Sequence, residues 1–181
     1  MFLIKNDFIP YIQELDLDTI TDADDSLISQ AVLSAVDNMK SYLYPRYDVV
    51  KVFIDVLTFD IGAVYVIGQL ASYNDELYYC ISDSSGNLPT DTNFFTKGDN
   101  RNQLIKMYAI DISLYDLHSR ICPRNIPEIR FIRYQEAMNW LKMVKNSETS
   151  IDLPLYPIDD EGDSQSDGID LKSDDAKKWD Y

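Results

Sequence analysis

Apolar residues recur at intervals of three and four in the first and last thirds of this chain, and alternate or cluster in the middle. The first pattern is that of an amphipathic helix, the second that of a half-buried strand. Residues 26–43 place Leu27, Ile28, Ala31, Val32, Ala35, Met39, Tyr42 and Leu43 on helical spacing. The acidic stretch before them, 21–26, suits a helix N-terminus, where carboxylates cap free N–H groups and favour the dipole. Pro45 ends the element. Ala31 and Ala35 put small side chains on one face and admit a close partner helix. Phe8, Tyr11, Ile12 and Leu15 predict a short leading helix after Pro10.

A helical pair occupies residues 100–146. Its first helix, 101–121, is apolar around most of its circumference, with Leu104, Ile105, Tyr108, Ile110, Ile112 and Leu114 among its residues. A surface helix normally shows one apolar stripe. Burial on two sides is therefore expected, one against the chain's own core and one against a neighbouring subunit. The second helix, 126–145, opens on Asn125 with Glu128 three residues on, which is capping-box spacing. Asp111 interrupts the apolar first helix, and a buried carboxylate needs a partner. Arg133 or Arg130, one turn apart on the second helix, supplies it. If both partners are buried, Asp111→Ala costs roughly 2–4 kcal/mol.

Between the helices the character changes. Residues 49–54 are β-branched and read as a strand. Residues 64–73 and 76–81 flank Asn74-Asp75, a pair that tolerates positive φ and so predicts a two-residue hairpin turn. Residues 82–92 read as loop, and Phe94-Phe95 as a short strand or an aromatic plug. The expected fold class is α+β: a mainly α core of three to four helices carrying an inserted small antiparallel β module. The expected organisation is a discontinuous helical domain, 1–52 and 100–151, with the module at 53–99 and an acidic arm at 152–181.

Charge narrows the function. With 31 acidic and 16 basic residues the net charge is −15, which argues against nucleic-acid binding, since phosphate contacts need clustered Lys and Arg. An acidic wall repels phosphate, as a passage for sliding DNA requires. No apolar run reaches the roughly 18 residues of a membrane span. The first ten residues lack the features of a secretory signal. Cys80 and Cys122 do not form a disulfide framework. An intracellular, reduced protein without membrane contact is expected. The arm holds ten acids and three lysines, a composition that orders on a partner. Ile169, Leu171, Trp179 and Tyr181 are its anchors in this reading.

Candidate chemistry is sparse. His118 lies on a helix near Tyr115 and Asp111 and reads as a packing residue rather than a general base. Residues 159–163 alternate acids as calcium loops do, but lack the glycine and closing glutamate of those loops. No P-loop, nucleophile elbow, dinucleotide fingerprint or zinc spacing is present. No catalytic residue, cofactor or metal is expected. The order Tyr65-x-x-Gly68, Tyr73-Asn74, Tyr78 and Gly86-x-x-Pro89 resembles the small chitin-binding type of carbohydrate-binding module. That likeness makes Tyr65, Tyr73, Tyr78 and Phe94 ligand-facing aromatics. The same residues also suit the core of a tiny sheet.

With the module set aside, the helices resemble the tailed-phage head–tail connector proteins of the Mu type. The likeness rests on Ala31-x-x-x-Ala35, then Tyr42-Leu43-Tyr44-Pro45-Arg46-Tyr47, then residues 111–117. It ends on Arg133-Tyr134-x-x-Ala137-x-x-Trp140-Leu141. It implies a structural virion protein of the neck, assembled in the host cytoplasm: a dodecameric ring of identical subunits joining portal protein to tail or further neck proteins. DNA then passes through without specific binding. Ala31, Ala35, Tyr108, Asp111, Tyr115, Arg130, Arg133, Trp179 and Tyr181 become interface residues. The alternative is a virion-associated module whose β insertion grips a glycan or a surface protein.

Overall fold

The computed structural model describes residues 1–44, 46–121, 124 and 126–157. Pro45, Cys122, Asn125, the 159–163 stretch and the proposed anchors Ile169, Leu171, Trp179 and Tyr181 lie outside the described residues. The fold is α+β. Its helices are α1 (Lys5–Phe8), α2 (Glu14–Thr21), α3 (Asp25–Leu43), α4 (Val49–Val52), α5 (Gln103–Ile121) and α6 (Glu128–Lys145).

Local chemistry sets the helix ends. Asp24 caps α3 by accepting from the Ser26 N–H at 2.9 Å. The Asn102 side chain opens α5 by accepting from Leu104 and Ile105 at 3.0 and 3.1 Å. Asp48 likewise caps Val50 and Lys51, so the stretch expected as a strand begins instead with the single helical turn α4. A side-chain cap over two free N–H groups outweighs β-branched propensity there. The expected leading helix is also split. Tyr11 and Ile12 turn back onto the Phe8 carbonyl, Pro10 cannot continue the ladder, and α2 restarts at Glu14. Leu15 consequently faces solvent.

Helix α5 is the central element, packed between α3 and α6 with α2 across it. Ile105, Ala109, Ile110, Ile112, Leu114 and Leu117 are all buried. The two buried sides of α5 are therefore covered by α3 and α6 of the same chain. The neighbouring subunit expected on one side of α5 is not needed there. Contacts between Asn38 and Met138, and between Tyr42 and Lys145, show α3 and α6 running parallel. Helix α5 runs against both. One apolar core joins residues 2–53 to residues 105–153.

The middle of the chain makes β1 (Val56–Thr58), β2 (Val64–Tyr65), β3 (Leu70–Tyr73), β4 (Glu76–Cys80), β5 (Ser84–Ser85) and β6 (Phe95–Lys97). The main sheet has the order β1-β3-β4-β6, and β2 pairs with β5 separately. Asn74 and Asp75 adopt φ of 51° and 62°, the left-handed pair of a two-residue hairpin. The expected run 64–73 is interrupted: Gly68 takes φ of 89°, and its two halves join different sheets. The module is not purely antiparallel either, since β1 pairs with β3 in parallel, Val56 opposite Leu70. The chain travels through β2 before returning in the direction of β1, which forces that pairing. Tyr65, Ala71, Tyr78, Cys80 and Phe95 form a second, separate core.

The strap 151–157 closes the far end of α3. Asp48 donates its N–H to the Pro154 carbonyl at 2.9 Å, and Tyr156 donates to Arg46 at 3.1 Å. Tyr47, inside the Tyr-Leu…Arg-Tyr element, is buried and bridged to Leu155.

Candidate functional site

The α5–α6 seam gathers four of the residues singled out from sequence. Tyr108 lies on Trp140 with ring centroids 4.8 Å apart. Tyr115 stacks on Tyr134 at 4.1 Å, with Phe131 at 6.3 Å. Such pairs contribute about 0.5–1.5 kcal/mol beyond burial. Arg133 is the cation that reaches Asp111, at 3.7 Å. Arg130 instead donates to the Tyr11 carbonyl at 2.8 Å and ties α6 to the turn before α2. All these contacts are within one chain. Ala31 and Ala35 are buried on α3, Ala31 beside Leu117 of α5 in a shallow groove.

Asp111 is poorly compensated. It is buried, yet its Oδ1 has no hydrogen-bond partner among the described residues. Burial pushes its carboxyl up, against the pull of Arg133 and Arg130. Arg133 keeps 40% of its side chain in solvent, so the condition for a large truncation cost, burial of both partners, is not met. A carboxyl raised in the folded state weakens folding once pH exceeds the unfolded value, about 3.9. Asp111→Asn is therefore expected to melt no lower than wild type at neutral pH, and to lose its relative advantage below about pH 4. A clear fall in neutral-pH melting temperature would show that the Arg133 attraction dominates.

His118 has its Nε2 buried without a hydrogen-bond partner among the described residues. Burial and then Arg130 push its pKa down, with Asp16 opposing. Among the described residues no acid is hydrogen-bonded to its Nε2, as the orientation of a general base requires. Among the described residues no group of three or more His, Cys, Asp or Glu could hold a metal ion. No helix among them is long and apolar enough to cross a membrane.

The most highly organised polar site was not legible from spacing. Arg101 is fully buried and forks onto Asp7 through Nη1 and Nη2 at 2.9 and 2.8 Å. It also holds Asp99 through Nε and Nη2 at 2.8 and 2.7 Å, and donates to the Phe2 carbonyl. Lys106 completes the cluster, 3.0 Å from Asp7 and 2.9 Å from Asp99. Burial raises the Asp99 carboxyl, but the hydrogen bonds of Arg101 and Lys106 outweigh it and hold the group well below the usual carboxylate range. The sequence signal was only Asp99-x-Arg101 before a helix; the partner Asp7 lies 94 residues away.

In the module, Tyr65 and Tyr78 are core residues. Tyr65 stacks on Phe59 at 5.5 Å and meets Phe95 edge-on at 5.6 Å. Tyr73 touches Phe59 and Tyr78, and Phe94 packs against the same cluster. A sugar-stacking face needs Tyr73 and Tyr78 exposed together, and the structure turns Tyr78 inward. The ligand-facing reading of Tyr65 and Tyr78 is thus corrected: six aromatics without enough sheet around them must cover each other.

Exposed apolar residues are spread over the described surface: Ile121, Ile129 and Ile132 on α5 and α6, Val64, Val66, Ile67 and Ile81 on the module, and Leu15, Leu33, Val50 and Leu155 elsewhere. Comparison of the chain with protein-family models, curated proteins and solved structures found no match to any.

Proposed function

We propose that the chain is a structural connector of the tailed-phage head–tail type, acting through interfaces rather than a reaction. Copies form a ring, dodecameric as in that family, between portal protein and tail or neck proteins, in the virion neck after assembly in the host cytoplasm. The observation that supports this is the way the two blocks carrying the likeness, separated by the module, close into a single core. The buried faces of α3, α5 and α6 make a stable unit. Part of the exposed apolar surface lies on α6, at Ile129 and Ile132, and on the module, at Val64, Val66 and Ile67, where other molecules meet it. A net charge of −15 per copy, repeated around a lumen, repels passing DNA. The exposed aliphatic residues of the module suit a protein contact better than a glycan.

Electron microscopy of the purified protein mixed with portal protein tests the reading. Rings seated on the portal are expected. Single copies that never join the portal, at any ratio, defeat it. Deleting residues 159–181 should leave the melting temperature unchanged and weaken docking, measured by co-sedimentation; equal docking removes the arm from the mechanism.

A further inference from the structure

The α5–α6 seam sets a buried imidazole beside a cation that ties α6 to the start of the chain. Helix α5 runs against α6, so Asp111 meets Arg133 and Tyr115 meets Tyr134 and Phe131. His118 follows Asp111 by two turns on α5, and Arg130 precedes Arg133 by about one turn on α6. Antiparallel packing therefore brings His118 and Arg130 to the same end of the seam. The Arg130 guanidinium donates to the Tyr11 carbonyl at 2.8 Å. Among the described residues this is the one side-chain hydrogen bond between α6 and residues 1–22.

Few charged groups face the imidazole. Arg130 acts on it from α6 and Asp16 from α2, while α3 and α5 itself add none among the described residues. The Nε2 atom is buried and has no hydrogen-bond partner among them. Asp16 is exposed and Arg130 half-buried, so water screens the attraction more than the repulsion. A proton on this ring sets two cations together where solvent is scarce.

We propose that His118 is the trigger of an acid latch: once protonated, its ring drives the Arg130 guanidinium off the Tyr11 carbonyl, and the turn 9–13 comes away from α6. Phe8 and Ile12 still anchor the turn in the core, so the response is local opening and not unfolding. Histidine is the side chain whose ordinary pKa places such a change in mild acid. Burial and Arg130 depress this one, so stability falls as pH drops below the unfolded value, about 6.5. Asp111, on the same stripe of α5, does not imitate the effect. Its carboxyl is raised, so added acid favours the folded state. The latch stands apart from the connector reading, since it needs neither a ring nor a portal.

Hydrogen exchange on the full chain at about pH 7.5 and about pH 5, corrected for the pH dependence of free amides, tests this. Tyr11 and Ile12, whose N–H groups bond the Phe8 carbonyl, should lose protection at least about tenfold in acid while α3 keeps its own. His118 is the chain's single histidine, so NMR can follow its ring protons in the same samples, and the loss should track that titration. His118→Gln, which stays neutral, should keep protection at both pH values, and Arg130→Gln should lose it at both. Unchanged protection in wild type overturns the latch, as does a loss whose midpoint departs from that of the ring. A folded His118→Gln variant that loosens like wild type overturns it too, as does an Arg130→Gln variant protected like wild type. Equal loss in α3 and α5 also overturns it, by showing global acid unfolding. The ring titration decides the matter even where a variant does not fold.

Discussion

Replacing Arg101 with methionine is expected to lower stability by about 3–5 kcal/mol, the usual effect of removing one partner from a buried ion pair. For a chain of this size that is roughly 10 °C in melting temperature. Arg101 has no solvent-exposed side-chain surface and Asp7 keeps only 5%, so water cannot replace the lost guanidinium. Asp7 and Asp99 would be left facing each other with Lys106 alone between them. Arg101→Lys should recover little, because an ammonium cannot reproduce the fork onto two carboxylates and a carbonyl. The double variant Arg101→Met with Asp7→Leu should be less destabilised than the sum of its parts. The cluster also dictates an acid limit. Asp99 is held below its unfolded value, so its contribution is present above about pH 4 and is lost as pH falls toward the folded value. Chemical denaturation at a series of pH values reads this directly. A loss below 1 kcal/mol in the single variant would show that the four groups are merely adjacent.

Tyr65→Ala is the second large effect, expected at about 3–5 kcal/mol for emptying an aromatic site in a core. The second core is small, and Tyr65 touches Phe59 and Phe95 within it. Its hydroxyl accepts the Asp60 N–H at 2.8 Å. Tyr65→Phe isolates that bond and should cost only about 1 kcal/mol. Because the module's core is separate from that of the bundle, the alanine variant should open the strands β1 to β6 first. Hydrogen exchange should then accelerate in β3 and β4 while α5 keeps its protection. Equal acceleration in α5 would show that the two cores melt as one. Unchanged exchange throughout would mean that Tyr65 is dispensable to packing.

The long helices could be read from the chain because their apolar spacing is regular and their caps are local. Asp24 before α3 is a contact between near neighbours, as is the Asn74-Asp75 turn. What could not be read depended on distance along the chain. Helix α5 is apolar nearly all round, and only the folded arrangement shows that α3 and α6 of the same chain cover it. The four-residue turn α4 escapes a reading by propensity, because a single cap overrides five β-branched or aromatic positions in 49–54. The likeness to a sugar-binding module puts Tyr78 on a ligand face and the core alternative puts it inside; alternation along a strand does not say which face is wet, and burial in the second core decides it. Spacing offers Asp111 either Arg133 or Arg130; only the fold shows that Asp111 is buried while Arg133 is not, which removes the condition for a large truncation cost. Beyond Asp99-x-Arg101 the clamp leaves no pattern along the chain, since its other carboxylate, Asp7, lies 94 residues away.

The fork between Arg101 and Asp7 has a consequence for how the protein is made. During synthesis the amino-terminal turn leaves the ribosome well before its guanidinium clamp has been polymerised. Until α5 begins to emerge, Asp7 lacks its counter-ions and the hydrophobic side of α3 lacks the helix it packs on. Nascent chains halted near residue 90 should therefore be protease-sensitive throughout, and those carried past α6 abruptly resistant.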